Sequence, residues 1–142
     1  MALFCFTELI KVEKRYRFFL AGAWLLAATV LFVLPGSTLP KIRLLLGLPV
    51  DKIVHVGIFW GLLYLWSSAL HIYTLRAGSL LLLVAMAYGL LIEVVQHLFI
   101  PFRTFSGEDL VADGAGAVVG LLCWSVYGAR RARAWVEKNR PL

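Results

Sequence analysis

The sequence predicts an all-α membrane protein, a compact bundle of four transmembrane helices with both termini in the cytoplasm. Three observations support this class. Of the 142 residues, 61% are hydrophobic, and the mean hydropathy of +0.85 is too high for a soluble domain. Four apolar runs approach or exceed the roughly 18 residues that cross about 30 Å of hydrocarbon. Lys and Arg are concentrated on one side of these runs, as in cytoplasmic segments.

Short gaps separate the four apolar runs and leave no room for a separate soluble domain. We therefore predict a single membrane domain over residues 1–142, with a basic cytoplasmic tail at 128–142. The first run is too long for the apolar core of a signal peptide, and no A-x-A-like cleavage site follows it, so we expect it to remain as a helix. The predicted spans are residues 18–34, 53–70, 79–100 and 110–127.

Helix-breaking and helix-capping residues mark the ends of these spans. Pro35 and Pro40 end the first span, and Asp51 is placed to cap the second. Pro101 stops the third span. The sequence SGED at 106–109 matches a capping box, in which the side chains of the first and fourth residues each bind the other's backbone N–H. It predicts the start of the fourth helix.

The distribution of basic residues predicts the orientation. Both terminal segments and the second loop lie on one side of a four-span protein, and the first and third loops lie on the other. The first side carries ten Lys and Arg residues: Lys11, Lys14, Arg15, Arg17, Arg76, Arg130, Arg131, Arg133, Lys138 and Arg140. The second side carries four: Lys41, Arg43, Lys52 and Arg103. The side with ten is expected to be cytoplasmic.

Polar residues interrupt the apolar spans near their predicted outer ends. The run LLIEVVQHLF at 90–99 contains Glu93, Gln96 and His97, which share one helix face at i, i+3 and i+4. The second and fourth helices start on the same side, and each carries an i, i+4 pair there. These pairs are Asp51 with His55, and Asp109 with Asp113; Lys52 and Arg103 fall at the same depth.

Several of these residues have a purely structural explanation. Asp51 and Asp109 can serve as helix caps, Lys52 can extend to the membrane surface, Gln96 can bridge two helices, and His97 can face lipid headgroups. Glu93 and Asp113 are harder to explain in this way, because an ionisable group within a span is costly and usually faces a cavity or the protein interior. His55 and Glu93 are the candidates for acid–base catalysis.

The predicted outer end carries more acidic than basic charge. Five carboxylates (Asp51, Glu93, Glu108, Asp109 and Asp113) accompany two cations (Lys52 and Arg103). Shared protons, a bound cation or a cationic group on a ligand would balance the excess, and Arg103 could pair with Glu93 or Asp113. Glu93, Asp109 and Asp113 are possible metal ligands, but their spacing matches no known metal motif. We therefore expect neither a metal nor a cofactor.

Small residues recur along the fourth helix at Ala112, Gly116 and Gly120. This four-residue spacing allows two helices in lipid to approach closely. We predict that Gly116 and Gly120 form a packing face, which would bring Asp109 and Asp113 against a neighbouring helix.

The segments DKIVHVGIF, EVVQ and IPFRTFSGEDLVADGAGAVVG, taken in this order and spacing, resemble the VanZ-like family of small bacterial membrane proteins. The resemblance covers about residues 50–120. It differs at Asp113, where the family usually has asparagine. The family's characteristic residues correspond here to Asp51, Lys52, His55, Phe59, Glu93, Gln96, Arg103, Asp109, Gly116 and Gly120. The resemblance implies a multi-pass protein of the bacterial plasma membrane and a namesake associated with low-level teicoplanin resistance.

Four functions are compatible with these features. The first is binding of an amphipathic cell-envelope lipid or a lipid-tailed glycopeptide at the outer leaflet, in a groove open to the side. The second is an enzyme that acts on such a lipid, the third is a subunit of a proton-coupled transporter, and the fourth is a scaffold that binds another membrane protein. Membrane lipids are the expected partners, and nucleic acid is not. The residues assigned to bind the ligand or organise the site are Asp51, Lys52, His55, Glu93, Gln96, Arg103, Asp109 and Asp113.

Overall fold

The computed structural model describes residues 2–34, 50–101 and 103–138, and within them the side chains of 14–34, 50–101, 103–127 and 130. All regular structure in these residues is helical, which confirms the predicted all-α class. The four helices are α1 (Ala2–Val33), α2 (Val50–Leu70), α3 (Leu75–Phe99) and α4 (Gly107–Lys138). Each contains a segment long and apolar enough to cross a membrane: Lys14–Val33, Val50–Leu70, Leu75–Phe99 and Gly107–Tyr127.

Every helix begins earlier than its predicted span, and α4 continues to Lys138, well into the predicted tail. The reason is that hydropathy detects only the part of a helix that lipid covers. A polar turn such as Asp51-Lys52 continues the same backbone hydrogen bonding outside the apolar core. Asp51 consequently lies in the first turn of α2 rather than before it. The first predicted loop, at 35–49, lies outside the described residues, and the predicted sidedness of the termini stays a prediction.

Helices α2 and α4 run parallel and form the most extensive contact in the bundle. Gly116 and Gly120 of α4 lie against the backbone carbonyls of Val56 and Trp60, so close that a Cβ atom at either glycine would overlap the carbonyl group. Without a hydrophobic driving force between helices in lipid, such close backbone approach is a main source of association. The glycine contacts therefore set the spacing of α2 and α4.

Helix α1 is fixed against α2 and α3 by hydrogen bonds between their apolar surfaces. The indole Nε1 of Trp24 donates to the carbonyl of Ile58 at 3.0 Å, and its ring fills the space left by Gly61. The hydroxyls of Thr29 and Tyr88 are 2.9 Å apart and link α1 to α3. These contacts surround a core that includes Phe32, Phe59, Leu62 and Leu63.

Aromatic residues cluster at the end of the bundle opposite the first turns of α2 and α4. Trp124 is 2% exposed, and its Nε1 donates to the carbonyl of Ile72 at 2.6 Å. Tyr73 and Tyr127 are exposed, as in the aromatic belts found at membrane surfaces. The difference arises because Trp124 lies one turn beyond Gly120 and so continues the contact surface with α2.

A cavity of about 400 Å³ opens between α3 and α4 at this aromatic end. Its walls include Tyr73, Leu82, Leu121 and Trp124, and they are mostly apolar. The expected groove was to lie beside the polar residues, so this cavity is at the wrong end of the bundle to be that groove.

Candidate functional site

The buried polar residues form one cluster, which we call the polar end, where α2 and α4 begin and α1 and α3 end. At its centre His55 Nδ1 lies 2.8 Å from Asp113 Oδ1, and both side chains are 2% exposed. Because a carboxylate oxygen only accepts, this contact places a proton on Nδ1 and directs Nε2 away from Asp113. The pair joins α2 to α4 about one turn before the contact of Gly116 with Val56.

Asp109 lies on the outer side of His55. Its Oδ2 is 4.0 Å from His55 Nε2, and its Oδ1 is 3.3 Å from the ammonium group of Lys52. Lys52 also pairs with Glu108 at 2.6 Å, where the Glu108 side chain is 80% exposed. Polar side chains thus continue from the surface of the bundle to its interior, first through Glu108 and Lys52, then through Asp109 to His55.

Glu93 of α3 reaches the first turn of α4. Its Oε2 accepts the backbone N–H of Ser106 at 2.9 Å, while the hydroxyl of Ser106 accepts the N–H of Asp109 at 3.3 Å. The start of the fourth helix was predicted correctly, but the capping box is completed by Glu93 from another helix. The Asp109 carboxylate is left free to face Lys52 and His55.

Gln96 and His97 separate, although the sequence placed them on one face with Glu93. The amide Nε2 of Gln96 donates to the carbonyl of Phe32 at 2.7 Å. That carbonyl is in the last turn of α1 and has no partner in its own helix. His97 is exposed, on the outside of α3. Gln96 therefore joins two helices at the polar end, and His97 does not reach the cluster.

Arg103 lies half-buried in the segment before α4 and forms no ion pair with Glu93 or Asp113 in the structure described. Its buried Nε has no hydrogen-bond partner there. The predicted pairing is therefore absent, although only one oxygen of each carboxylate is engaged: Glu93 Oε2 accepts from Ser106 and Asp113 Oδ1 lies against His55.

Apolar groups close the inner side of the polar end. The ring of Phe32 lies 4.8 Å from that of His55, centroid to centroid. Asp113 Oδ2 packs so closely on Gly89 of α3 that a Cβ there would be 2.8 Å away. The polar route from the His55–Asp113 pair to the surface therefore runs through Asp109, and the other side of the pair is closed by the apolar core.

The arrangement can hold a proton or a cation. His55 is oriented by a carboxylate, as in sites that use an imidazole for acid–base chemistry or for binding metal. Among the residues described, Asp51, His55 and Asp109 have ligand atoms within 4.8 Å of one another. Of the metal candidates Glu93, Asp109 and Asp113 taken from the sequence, only Asp109 belongs to this set.

Sequence reasoning missed three features of the polar end. Phe32 was assigned only to a span, Gly89 was not recognised as a point of close approach, and Glu108 was not recognised as the partner of Lys52. Of these only the pairing of Glu108 had a signal in the sequence, since Glu108 belongs to a first turn predicted to lie beside Lys52. The contacts of Phe32 and Gly89 depend on which helices are neighbours.

Comparison with known proteins gives one family match. The family model described as VanZ/LLP1 matches residues 3–128, most of the chain. No curated protein and no solved structure matches the sequence significantly.

Proposed function

The chain belongs to the VanZ/LLP1 family, and from this premise we propose that its polar end binds the headgroup of an amphipathic ligand. The ligand is a cell-envelope lipid or a lipid-tailed glycopeptide of the teicoplanin type, taken from the outer leaflet of the bacterial plasma membrane. The protein itself is a multi-pass membrane protein with four apolar helices. Resistance to such an antibiotic would follow from binding it before it reaches its target.

The continuity of polar side chains at the polar end carries this proposal. The exposed fraction of the side chain falls from 80% at Glu108 to 9% at Asp109 and 2% at His55. Glu108 and Lys52 form the exposed rim of the polar end. A headgroup arriving along the membrane surface would meet this rim first and the buried groups next. Charged groups in a membrane protein that face such an entry mark binding or transport sites more often than packing sites.

Exposed apolar side chains lie directly beside the polar rim and suit a lipid tail. Ile53 and Val54 follow Lys52 in α2, and Val111 follows Asp109 in α4; all three are exposed. An amphipathic molecule could therefore place its headgroup on the rim and its tail along α2 or α4. A soluble ligand would gain nothing from these side chains, since lipid already covers them.

Lipids retained by the purified protein test the proposal. We expect wild type to co-purify with a discrete lipid, identified by mass spectrometry, and the double variant Asp51→Asn, Glu108→Gln to lose it. Arg76→Gln, which removes an exposed charge at the opposite end, is the matched control and should retain the lipid. Equal retention by all three proteins would show that the polar end does not hold the headgroup.

The orientation of the polar end is tested separately. A cysteine at Ser106 should react with a membrane-impermeant thiol reagent in intact cells, with the native Cys5 and Cys123 replaced. A cysteine at Ser79, at the opposite end of α3, should not react. Labelling at Ser79 instead would place the polar end in the cytoplasm and exclude a ligand from the outer leaflet.

An enzyme acting on the same lipid is the second candidate, and the contact between His55 and Asp113 favours it. A carboxylate-oriented imidazole is a common general base, and its Nε2 faces the entry from the rim. The hydroxyl of Ser106, the nearest candidate nucleophile, is already used to cap α4. Incubation with the retained lipid distinguishes the two functions, because an enzyme would convert it and a binding protein would leave it unchanged.

A further inference from the structure

We propose that Asp51, His55 and Asp109 form a binding site for a divalent transition-metal cation at the polar end. One ligand atom from each residue lies within 4.8 Å of the other two. Two ligands of one ion are about 3 to 4 Å apart, because each lies about 2.1 Å from the metal. Asp51 is exposed, so its side chain is free to rotate toward an ion held by the other two residues.

The orientation of His55 supplies the first argument. Asp113 holds the Nδ1 proton, which leaves a lone pair on Nε2, and Nε2 lies 4.0 Å from Asp109 Oδ2. This distance is too long for a hydrogen bond. It suits two acceptors that share a cation. Metal-binding imidazoles usually donate their other N–H to a carboxylate in this manner, which fixes the tautomer that can coordinate.

Glu93 supplies a second, independent argument. Its side chain is 1% exposed, and Oε1 is buried without a hydrogen-bond partner in the part of the chain described. The carboxylate lies within electrostatic range of Asp109, His55 and Asp113. A buried carboxylate oxygen with no donor is costly unless positive charge is near. A cation beside Asp109 would provide that charge.

The charge balance of the polar end leaves room for a divalent ion. Its acids are Asp51, Glu93, Glu108, Asp109 and Asp113, and its basic residues are Lys52 and Arg103. Two helices begin at this end and two finish there, so their dipole charges of about plus and minus one half cancel. An excess of about three negative charges remains. A divalent ion would reduce it to about one.

The donor set indicates which ions fit. One imidazole and two carboxylates suit Zn²⁺ or Mn²⁺ better than Mg²⁺ or Ca²⁺, which prefer oxygen ligands alone. This inference goes beyond the proposed binding function and does not require it. If both hold, the open coordination positions would face the rim, where oxygen atoms of a headgroup could complete the shell.

Calorimetric titration with Zn²⁺ tests the site, using full-length protein treated with EDTA, stripped of lipid and held in detergent. We expect saturable binding of one ion per chain, with Asp51→Asn lowering the affinity by about tenfold or more. Asp51 is exposed, so this variant should keep the fold, which a melting curve verifies. His71→Gln is the matched control, since it removes an exposed imidazole that would bind zinc adventitiously, and it should leave the affinity unchanged.

Two results would overturn the proposal. The first is the absence of saturable binding to folded wild type, and the second is an Asp51→Asn affinity equal to that of wild type. A larger loss in His71→Gln than in Asp51→Asn would show an adventitious ion only. Because the titration contains no lipid, failure of the metal site leaves the lipid-retention experiment unaffected, and failure of lipid binding leaves the titration interpretable.

Discussion

Helices α2 and α4 contact each other at both ends, through a hydrogen bond between buried polar groups at one end and through aromatic rings at the other. At the polar end His55 of α2 meets Asp113 of α4 through one hydrogen bond of 2.8 Å. At the aromatic end Tyr64 of α2 meets Trp124 of α4 edge to face, with ring centroids 6.1 Å apart. The glycine contacts lie between the two ends and bring both pairs within reach.

The difference shows which contacts need particular side chains and which need only an apolar group of suitable size. In lipid an aromatic ring gains little from being buried, since lipid tails are as apolar as the protein interior. A neighbouring ring or a lipid chain can replace another ring at the aromatic end. The buried imidazole and carboxylate of the polar end have no such substitute, because each loses its hydrogen bond if the other is removed.

The largest effect is expected at Gly116, because a side chain there would separate the helices and disrupt both ends together. Gly116→Leu should lower the free energy of unfolding by about 3 kcal/mol or more, since the backbone of Val56 cannot move aside. Gly114→Ala is the matched control, as its Cβ would make only an ordinary 3.5 Å contact with Met86. Melting in detergent measures both, and similar stabilities would show that the glycine contact does not set the helix spacing.

The next effect is expected at Asp113, which tests the polar end alone. Asp113→Leu should lower the free energy of unfolding by about 2 kcal/mol, because it leaves the buried His55 N–H without an acceptor. Asp113→Asn keeps an oxygen at the same place, removes one negative charge and matches the residue usual in the family it resembles. It should melt at or above the wild-type temperature. If asparagine destabilised as much as leucine, the contact would depend on charge rather than on the hydrogen bond.

A smaller effect is expected at Ser106, the cap of α4. Ser106→Ala should cost about 1 kcal/mol, because the N–H of Asp109 loses its acceptor. Ser79→Ala is the control, since the Ser79 hydroxyl only donates to the carbonyl of Leu75 within α3. Chemical unfolding of the two variants should separate them, and equal stabilities would mean that the cap contributes nothing at the polar end.

The smallest effect is expected at the aromatic end. Trp124→Phe keeps an aromatic ring but removes the hydrogen bond to Ile72, and should cost about 0.6 kcal/mol, the usual value for hydrogen bonds in membrane bundles. Trp60→Phe, at an exposed tryptophan, is the control and should be neutral. If Trp124→Phe destabilised more than Asp113→Leu, the contrast between the two ends would be wrong.

Local patterns were sufficient for the elements but not for the contacts between them. The capping sequence at 106–109 correctly located the start of α4, because a cap depends on neighbouring residues. It could not indicate that Glu93 would complete it from another helix. Gln96 was proposed as a bridge between helices, but its acceptor, the carbonyl of Phe32, carries no mark in the sequence because every residue has a carbonyl.

Hydropathy alone determined that the chain forms four helices able to span a membrane, since a lipid-exposed backbone must satisfy its own hydrogen bonds. Spacing alone placed the polar residues at one end, because chain direction reverses at each loop. Tertiary structure decided which of them meet. The close approach of α2 and α4 at Gly116 and Gly120 pairs His55 with Asp113, buries Trp124 and leaves Arg103 aside. These outcomes depend on how two helices are rotated about their axes, and a single helix contains no information on its rotation relative to another.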